Sequence, residues 1–165
     1  MEKKYRLLEN DTKKGNGKTL YRIEALRDFA DVKKGDKGGY VEKEENLSHE
    51  GNCWVYGYAL VFDYVKIFSN ARVYDNAEVY GNAWVYGDAR IRDTADYYVG
   101  KNVWSSGRYF TYTRSNKMWK VGCFYGTGKE LIEKAYKDSE VSGREYERVV
   151  RYVEAMYADL EKDKE

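Results

Sequence analysis

Few side chains in this sequence have the type and spacing for covalent chemistry. There is one histidine, His49, a candidate general base. The two cysteines, Cys53 and Cys123, are spaced unlike a metal site and read as small structural residues. A zinc site needs several converging histidines, which a single His49 cannot supply. No P-loop, Gly-x-Gly-x-x-Gly turn, nucleophile elbow or Cys-x-x-Cys pair occurs. The run Gly122-Cys-Phe-Tyr-Gly-Thr-Gly128 could cradle a phosphate at a helix N-terminus, but it lacks the P-loop lysine and reads better as a turn. The expectation is no catalytic residue, no metal and no cofactor.

Binding chemistry is better represented. Trp54, Tyr56, Arg72, Tyr74, Arg90 and Arg92 combine rings that stack on bases with guanidinium groups that fork phosphate or carboxylate. The same residue types dominate protein-binding hot spots. A second set, Phe62, Tyr80, Phe68, Trp84 and Tyr86, suits an interface between subunits.

Both sets are carried by a six-residue repeat from Asn46 to Asp93. Its second place holds Leu47, Cys53, Ala59, Val65, Ala71, Ala77, Ala83 and Ala89; its fourth holds His49, Val55, Val61, Ile67, Val73, Val79, Val85 and Ile91. With one variable residue between them, these two places face one side of a short strand. Pairs such as Gly81-Asn82 and Asp75-Asn76 tolerate the backbone angles of a sharp corner. Six is a poor period for a helix and a natural one for a strand plus a corner, so the repeat predicts a solenoid of very short strands around one narrow core.

This pattern resembles the hexapeptide-repeat family, whose fold is a left-handed parallel β-helix with three hexads per coil. The resemblance implies that residues 18 apart stack. The third and fifth places then form three outward faces: Trp54, Tyr56, Arg72, Tyr74, Arg90 and Arg92 on one; Leu60, Phe62, Glu78 and Tyr80 on the next; Ser48, Glu50, Lys66, Phe68, Trp84 and Tyr86 on the third. Such aromatic ladders should not stand in water, and the family's habitual cover is a homotrimer. Many members are acyltransferases that use a histidine beside a bulging loop. Here His49 takes an inward place and no insertion interrupts the hexads, so the sequence points away from an enzyme.

The fold class expected is mainly β, a short left-handed parallel β-helix over residues 46–104. An N-terminal strand-and-turn cap covers 1–45, and a C-terminal β-hairpin with two helices occupies 105–165. The cap strands begin at Tyr5 and Thr19, with a turn ending in Lys14-Gly-Asn-Gly-Lys18. Val103-Trp104 is a candidate last rung. Arg108–Thr113 and Met118–Val121 alternate like a hairpin across Arg114-Ser-Asn-Lys117. Thr127-x-x-Glu130 and Ser142-x-x-Glu145 read as capping boxes that open helices, the second with an apolar stripe from Tyr146 to Leu160 and a frayed tail over 161–165.

Composition narrows the partners. Net charge is +1 and unsegregated: 12 basic and 10 acidic residues in 1–45, 4 and 6 in the hexads, 13 and 12 beyond. That argues against nucleic acid as a partner, although folding can still gather a local patch. No apolar run is long enough to span a bilayer and the N-terminus lacks a signal peptide's apolar segment, so a cytoplasmic protein with no membrane partner is expected. Finally, Leu20-Tyr-Arg-Ile-Glu-Ala-Leu-Arg-Asp-Phe29, Lys34-Gly-Asp-x-Gly-Gly-Tyr-Val-Glu42 and Glu45-Asn-Leu-Ser48 resemble the opening of hexapeptide-repeat proteins carried by bacteriophages. That setting implies a binding protein that blocks a host protein, plausibly one of antiviral defence. The alternative is a sponge that holds a small nucleotide between subunits.

Overall fold

The computed structural model describes residues 2–163; of the tail expected to fray over 161–165, residues 161–163 continue the last helix and 164–165 lie outside the described residues. The chain opens with a hairpin of β1 (Tyr5–Gly15) and β2 (Lys18–Ala25), turning at Asn16-Gly17, both left-handed. Polar residues 9–14, read from sequence as turn, are strand; a register shift between Leu8 and Thr12 accommodates them. Antiparallel to β2 lies β3 (Lys37–Val41). Its Gly38 and Gly39 are required by closeness: a Cβ on either would stand 2.4 Å from Val55 O or 2.6 Å from Ala59 O.

Seven two-residue strands follow: β4 (Trp54–Val55), β5 (Leu60–Val61), β6 (Lys66–Ile67), β7 (Arg72–Val73), β8 (Glu78–Val79), β9 (Trp84–Val85) and β10 (Arg90–Ile91). β4, β5, β6 and β7 each pair in parallel with the strand three further along the chain, and β3 pairs in parallel with β5, giving stacks β4-β7-β10, β3-β5-β8 and β6-β9. The residue between successive hexads is left-handed every time: Gly51, Gly57, Asp63, Ser69, Asp75, Gly81 and Gly87 have φ between 58° and 75°. Second-place and fourth-place residues from Leu47 to Ile91 are buried, His49 excepted. Alanine at one place and a β-branched residue at the other fill a core too narrow for larger pairs.

In every rung the amides flanking the inward β-branched residue donate toward the next coil, while that residue's own amide faces back. The amides of Trp54, Leu60, Lys66 and Arg72 donate to the carbonyls of Ala71, Ala77, Ala83 and Ala89 at 2.9–3.2 Å. The stack therefore ends mainly in carbonyls on the N-terminal side and mainly in amides on the C-terminal side. At the carbonyl end the cap supplies donors. Lys4 Nζ reaches Cys53 O at 2.6 Å, Tyr5 Oη reaches Leu47 O at 2.6 Å and Asn46 Nδ2 reaches Val65 O at 3.0 Å. At the amide end the chain supplies acceptors. Thr94 Oγ1 receives the Glu78 amide, the Tyr97 hydroxyl that of Tyr80, Thr111 Oγ1 that of Trp84 and Ser115 Oγ that of Arg90. Asp96 receives both Arg92 and Asp93.

The amide-end unit is an antiparallel sheet of β11 (Tyr97–Lys101), β12 (Tyr109–Thr113), β13 (Met118–Val121) and β14 (Phe124–Thr127), backed by α1 (Gly128–Asp138) and α2 (Glu140–Asp163). It starts at Tyr97, so the rungs end earlier than the expected division at 105. Val103-Trp104 is no rung: it lies in a turn, where the Trp104 indole donates to Ser142 Oγ. The Thr127/Glu130 capping box opens α1 as read. Ser142 does not open α2; Ser139 Oγ accepts the Ser142 amide at 3.0 Å, so the helix starts at Glu140. Tyr146, Val150, Val153 and Tyr157 pack on Phe110, Tyr112 and Trp119, whereas Leu160 is exposed.

His49 belongs to the carbonyl-end cap. Its Nδ1 accepts the Lys4 amide at 3.0 Å, its ring stacks on Tyr5 at 4.2 Å and Nε2 stands 3.6 Å from Glu44. A proton on Nδ1 would face the Lys4 N–H, donor against donor. Burial lowers the imidazole's affinity for protons, with the Glu44 charge opposing in part. Because the folded value lies below the unfolded one, the neutral ring's stabilisation is complete above the unfolded pKa of 6.5 and is lost as pH falls through the folded value.

Two stability predictions follow from the caps. Thr111→Val, nearly isosteric, should orphan the Trp84 amide and cost about 1–3 kcal/mol in urea unfolding with the circular dichroism spectrum unchanged; no change would mean that water serves that amide. The urea midpoint should fall between about pH 7 and about pH 5 more steeply for the parent chain than for His49→Gln. Parallel slopes would remove His49 as the cause.

Candidate anion-binding cleft

The outward faces expected to stand in water are largely covered by the chain itself. Trp54, expected on a binding face, is 2% exposed, packed edge-on against Phe29 at 5.2 Å and Tyr5 at 6.1 Å. Phe62, expected at a subunit interface, is 3% exposed under Leu20 and Tyr40 of the cap. Both corrections have one cause: the hairpin folds back over the first rungs. On the third face Phe68 and Tyr86 meet at 4.7 Å, Tyr125 of β14 packs on Tyr86 at 4.7 Å, and Lys120 Nζ lies 4.7 Å over the Tyr86 ring. Trp84 is half-buried beside Phe68, and Tyr80 stacks on Phe62 yet stays exposed.

The remaining face-one residues form a continuous column. Tyr56 and Tyr74 stack at 4.8 Å and 17°, and the Arg92 guanidinium lies 4.6 Å over the other side of Tyr74. Tyr56 donates to Asp31 Oδ1 at 2.7 Å; burial first, and then that bond, push its phenol pKa upward. Arg72, on the rung between, stays half-buried beside the two rings.

Where this column meets the antiparallel unit there is an open cleft of about 780 Å³. The rungs contribute Arg90 and Arg92, the β12–β13 turn contributes Arg114 and Lys117, and α2 contributes Tyr157 and Glu161. Its four carboxylates are engaged. Asp96 holds two amides, Asp93 holds the Ala95 amide, Glu154 accepts the Trp119 indole, and Glu161 pairs with Arg114 at 2.6 Å. Arg114 also lies 3.6 Å from Asp96 and 5.6 Å over Tyr157. By contrast Arg90, Arg92 and Lys117 have no carboxylate within 4 Å among the described residues. Burial pushes the phenols of Tyr112 and Tyr157 up to about 12, so neither competes as an anion. The cleft can thus receive negative charge without first breaking an ion pair.

The sequence named Arg90 and Arg92 and missed Arg114 and Lys117, which read only as a hairpin turn. Nothing in the sequence signalled them, because the bond that sets the turn beside that rung, from the Arg90 amide to the Ser115 hydroxyl, joins residues 25 apart.

Comparison with known proteins is short. No family model matches the chain. A stretch of 48 residues, 29% of the chain, is 46% identical to an uncharacterised acetyltransferase, YdcK, of Escherichia coli K12. That stretch takes in 14% of YdcK's length, so the likeness concerns a small part of the relative. It fits loosely with hexapeptide-repeat proteins, among which acetyltransferases are typical, and here it rests on less than a third of the chain.

Proposed function

We propose that this chain is a non-enzymatic binding protein whose rungs wind as the left-handed parallel β-helix of hexapeptide-repeat proteins. Its target is an acidic surface on a protein partner, held in the cleft between the rungs and the antiparallel unit. The observation that carries this reading is the imbalance in the cleft: its carboxylates are engaged while Arg90, Arg92 and Lys117 have no carboxylate partner among the described residues. A protein is favoured over a stacked nucleotide at this place because Tyr74 has Tyr56 on one side and Arg92 on the other, which leaves no bare ring face for a base. That weakens the nucleotide-sponge reading for this column. A phage setting and a host target, plausibly one of antiviral defence, rest on the resemblance of the N-terminal stretch alone. A homotrimer rests on the resemblance of the hexad repeat alone, because the strips that called for one are largely covered within the chain.

The test is native mass spectrometry of tagged protein recovered gently from bacterial host cells, with Arg90→Glu/Arg92→Glu in parallel. The expected result is a host polypeptide on the parent chain whose affinity falls at least about tenfold, or about 1.4 kcal/mol, in the variant. Equal retention by both, or a small molecule in place of a polypeptide, would sink the reading.

The likeness to YdcK favours a second reading, acetyl transfer. It would need a general base with access to substrate, and the single histidine is held in the cap with its side chain 13% exposed. Incubation with acetyl-coenzyme A and a panel of amine and hydroxyl acceptors should show no turnover above buffer. Turnover lost in a folded His49→Ala variant would establish the enzyme instead.

A further inference from the structure

A second surface carries chemistry that the cleft does not use. Two adjoining hollows of about 370 and 390 Å³ share Tyr64 and Lys66. Lys43 lines the first, and Trp84, Arg108 and Tyr109 line the second. Tyr64 is 69% exposed and Tyr109 43%. A lysine ammonium lies over each ring: Lys43 Nζ is 5.0 Å from the Tyr64 centroid, Lys66 Nζ 5.4 Å from Trp84 and Lys101 Nζ 5.9 Å from Tyr109. Neither tyrosine has an aromatic neighbour in stacking reach among the described residues, unlike the closed column at Tyr74.

Charge points the same way. Glu45 is the one acidic residue lining either hollow, and among the described residues none of Lys43, Lys66, Lys101 or Arg108 has a carboxylate within 4 Å. A chain whose net charge is +1 has gathered four cations against the single Glu45 carboxylate here. An apolar protein surface would not need four cations, and an acidic peptide would leave three rings unused. Exposed tyrosines set among cations match a strand that offers flat bases on one side and phosphates on the other. A duplex keeps its base faces stacked inside and cannot use the rings.

We propose that this groove binds single-stranded nucleic acid, with bases on Tyr64, Trp84 and Tyr109 and phosphates on Lys43, Lys66 and Arg108. Each ring acts through its face, and sequence preference is weak because every base has one.

Fluorescence anisotropy with a labelled oligothymidylate of about ten nucleotides tests it. The expected dissociation constant is about 10⁻⁵ M at physiological salt, tightening as salt is lowered. Tyr64→Ala should weaken binding about tenfold, whereas Tyr64→Phe, which keeps the ring, should not. Lys66→Glu should weaken it and lower the slope of log affinity against log salt by about 0.7. Tyr58→Ala, at an exposed tyrosine outside the groove, should change nothing. Absence of binding at low salt would overturn the proposal, as would indifference to Tyr64→Ala. Equal competition by a duplex would reduce the effect to charge, and equal competition per nucleotide by thymidine monophosphate would reduce the groove to a single-nucleotide site; either outcome overturns the strand.

Discussion

Parallel rungs cannot satisfy their own ends. Because the amides flanking each inward residue point toward the C-terminal unit and the flanking carbonyls toward the N-terminal one, the first end presents mainly unsatisfied carbonyls and the second mainly unsatisfied amides. An unpaired buried backbone group costs about 1–3 kcal/mol, so several at one end would consume much of a small domain's net stability. The caps answer with opposite chemistry. Lys4, Tyr5 and Asn46 donate at one end; Thr94, Tyr97, Thr111, Ser115 and Asp96 accept at the other.

That requirement explains why the appendage is as large as it is. To place Thr111 and Ser115 over two different rung stacks, the chain builds a four-stranded sheet, and the sheet's far face then needs α1 and α2 to cover it. The cleft is a by-product of this arrangement. Ser115 pins the β12–β13 turn to Arg90, which carries Arg114 and Lys117 beside two rung arginines. Like charges gathered this way repel unless an anion joins them, and Glu161 neutralises Arg114 alone.

Self-covering also revises how aromatic content should be weighed. Ten aromatics in the 48 hexad residues suggested ladders that only a second copy could bury. Instead Leu20 of β2 and Tyr40 of β3 fold over Phe62, Phe29 and Tyr5 enclose Trp54, and Tyr125 reaches Tyr86. The repeat shows which side chains leave a rung, but it carries no record of what arrives from more than twenty residues away. Ladders and caps are therefore separable in sequence and inseparable in energy.

The repeat by itself determined the local architecture, because it is enforced within a few residues. A left-handed corner every six residues and an alternating buried pair are properties of the hexad, and Gly57, Asp63, Ala71 and Val73 could be placed without a partner. The Thr127/Glu130 cap was legible for the same reason. Tertiary structure alone decided the rest. Trp54 and Phe62 became core, Ser139 displaced Ser142 as the helix cap, and β11 took Tyr97–Lys101 from the rungs. It also brought Arg114 to Arg90 and Tyr109 to Trp84. Each of those outcomes depends on contacts between residues far apart in the chain, where side-chain type shows what a group can do and only position shows what it meets.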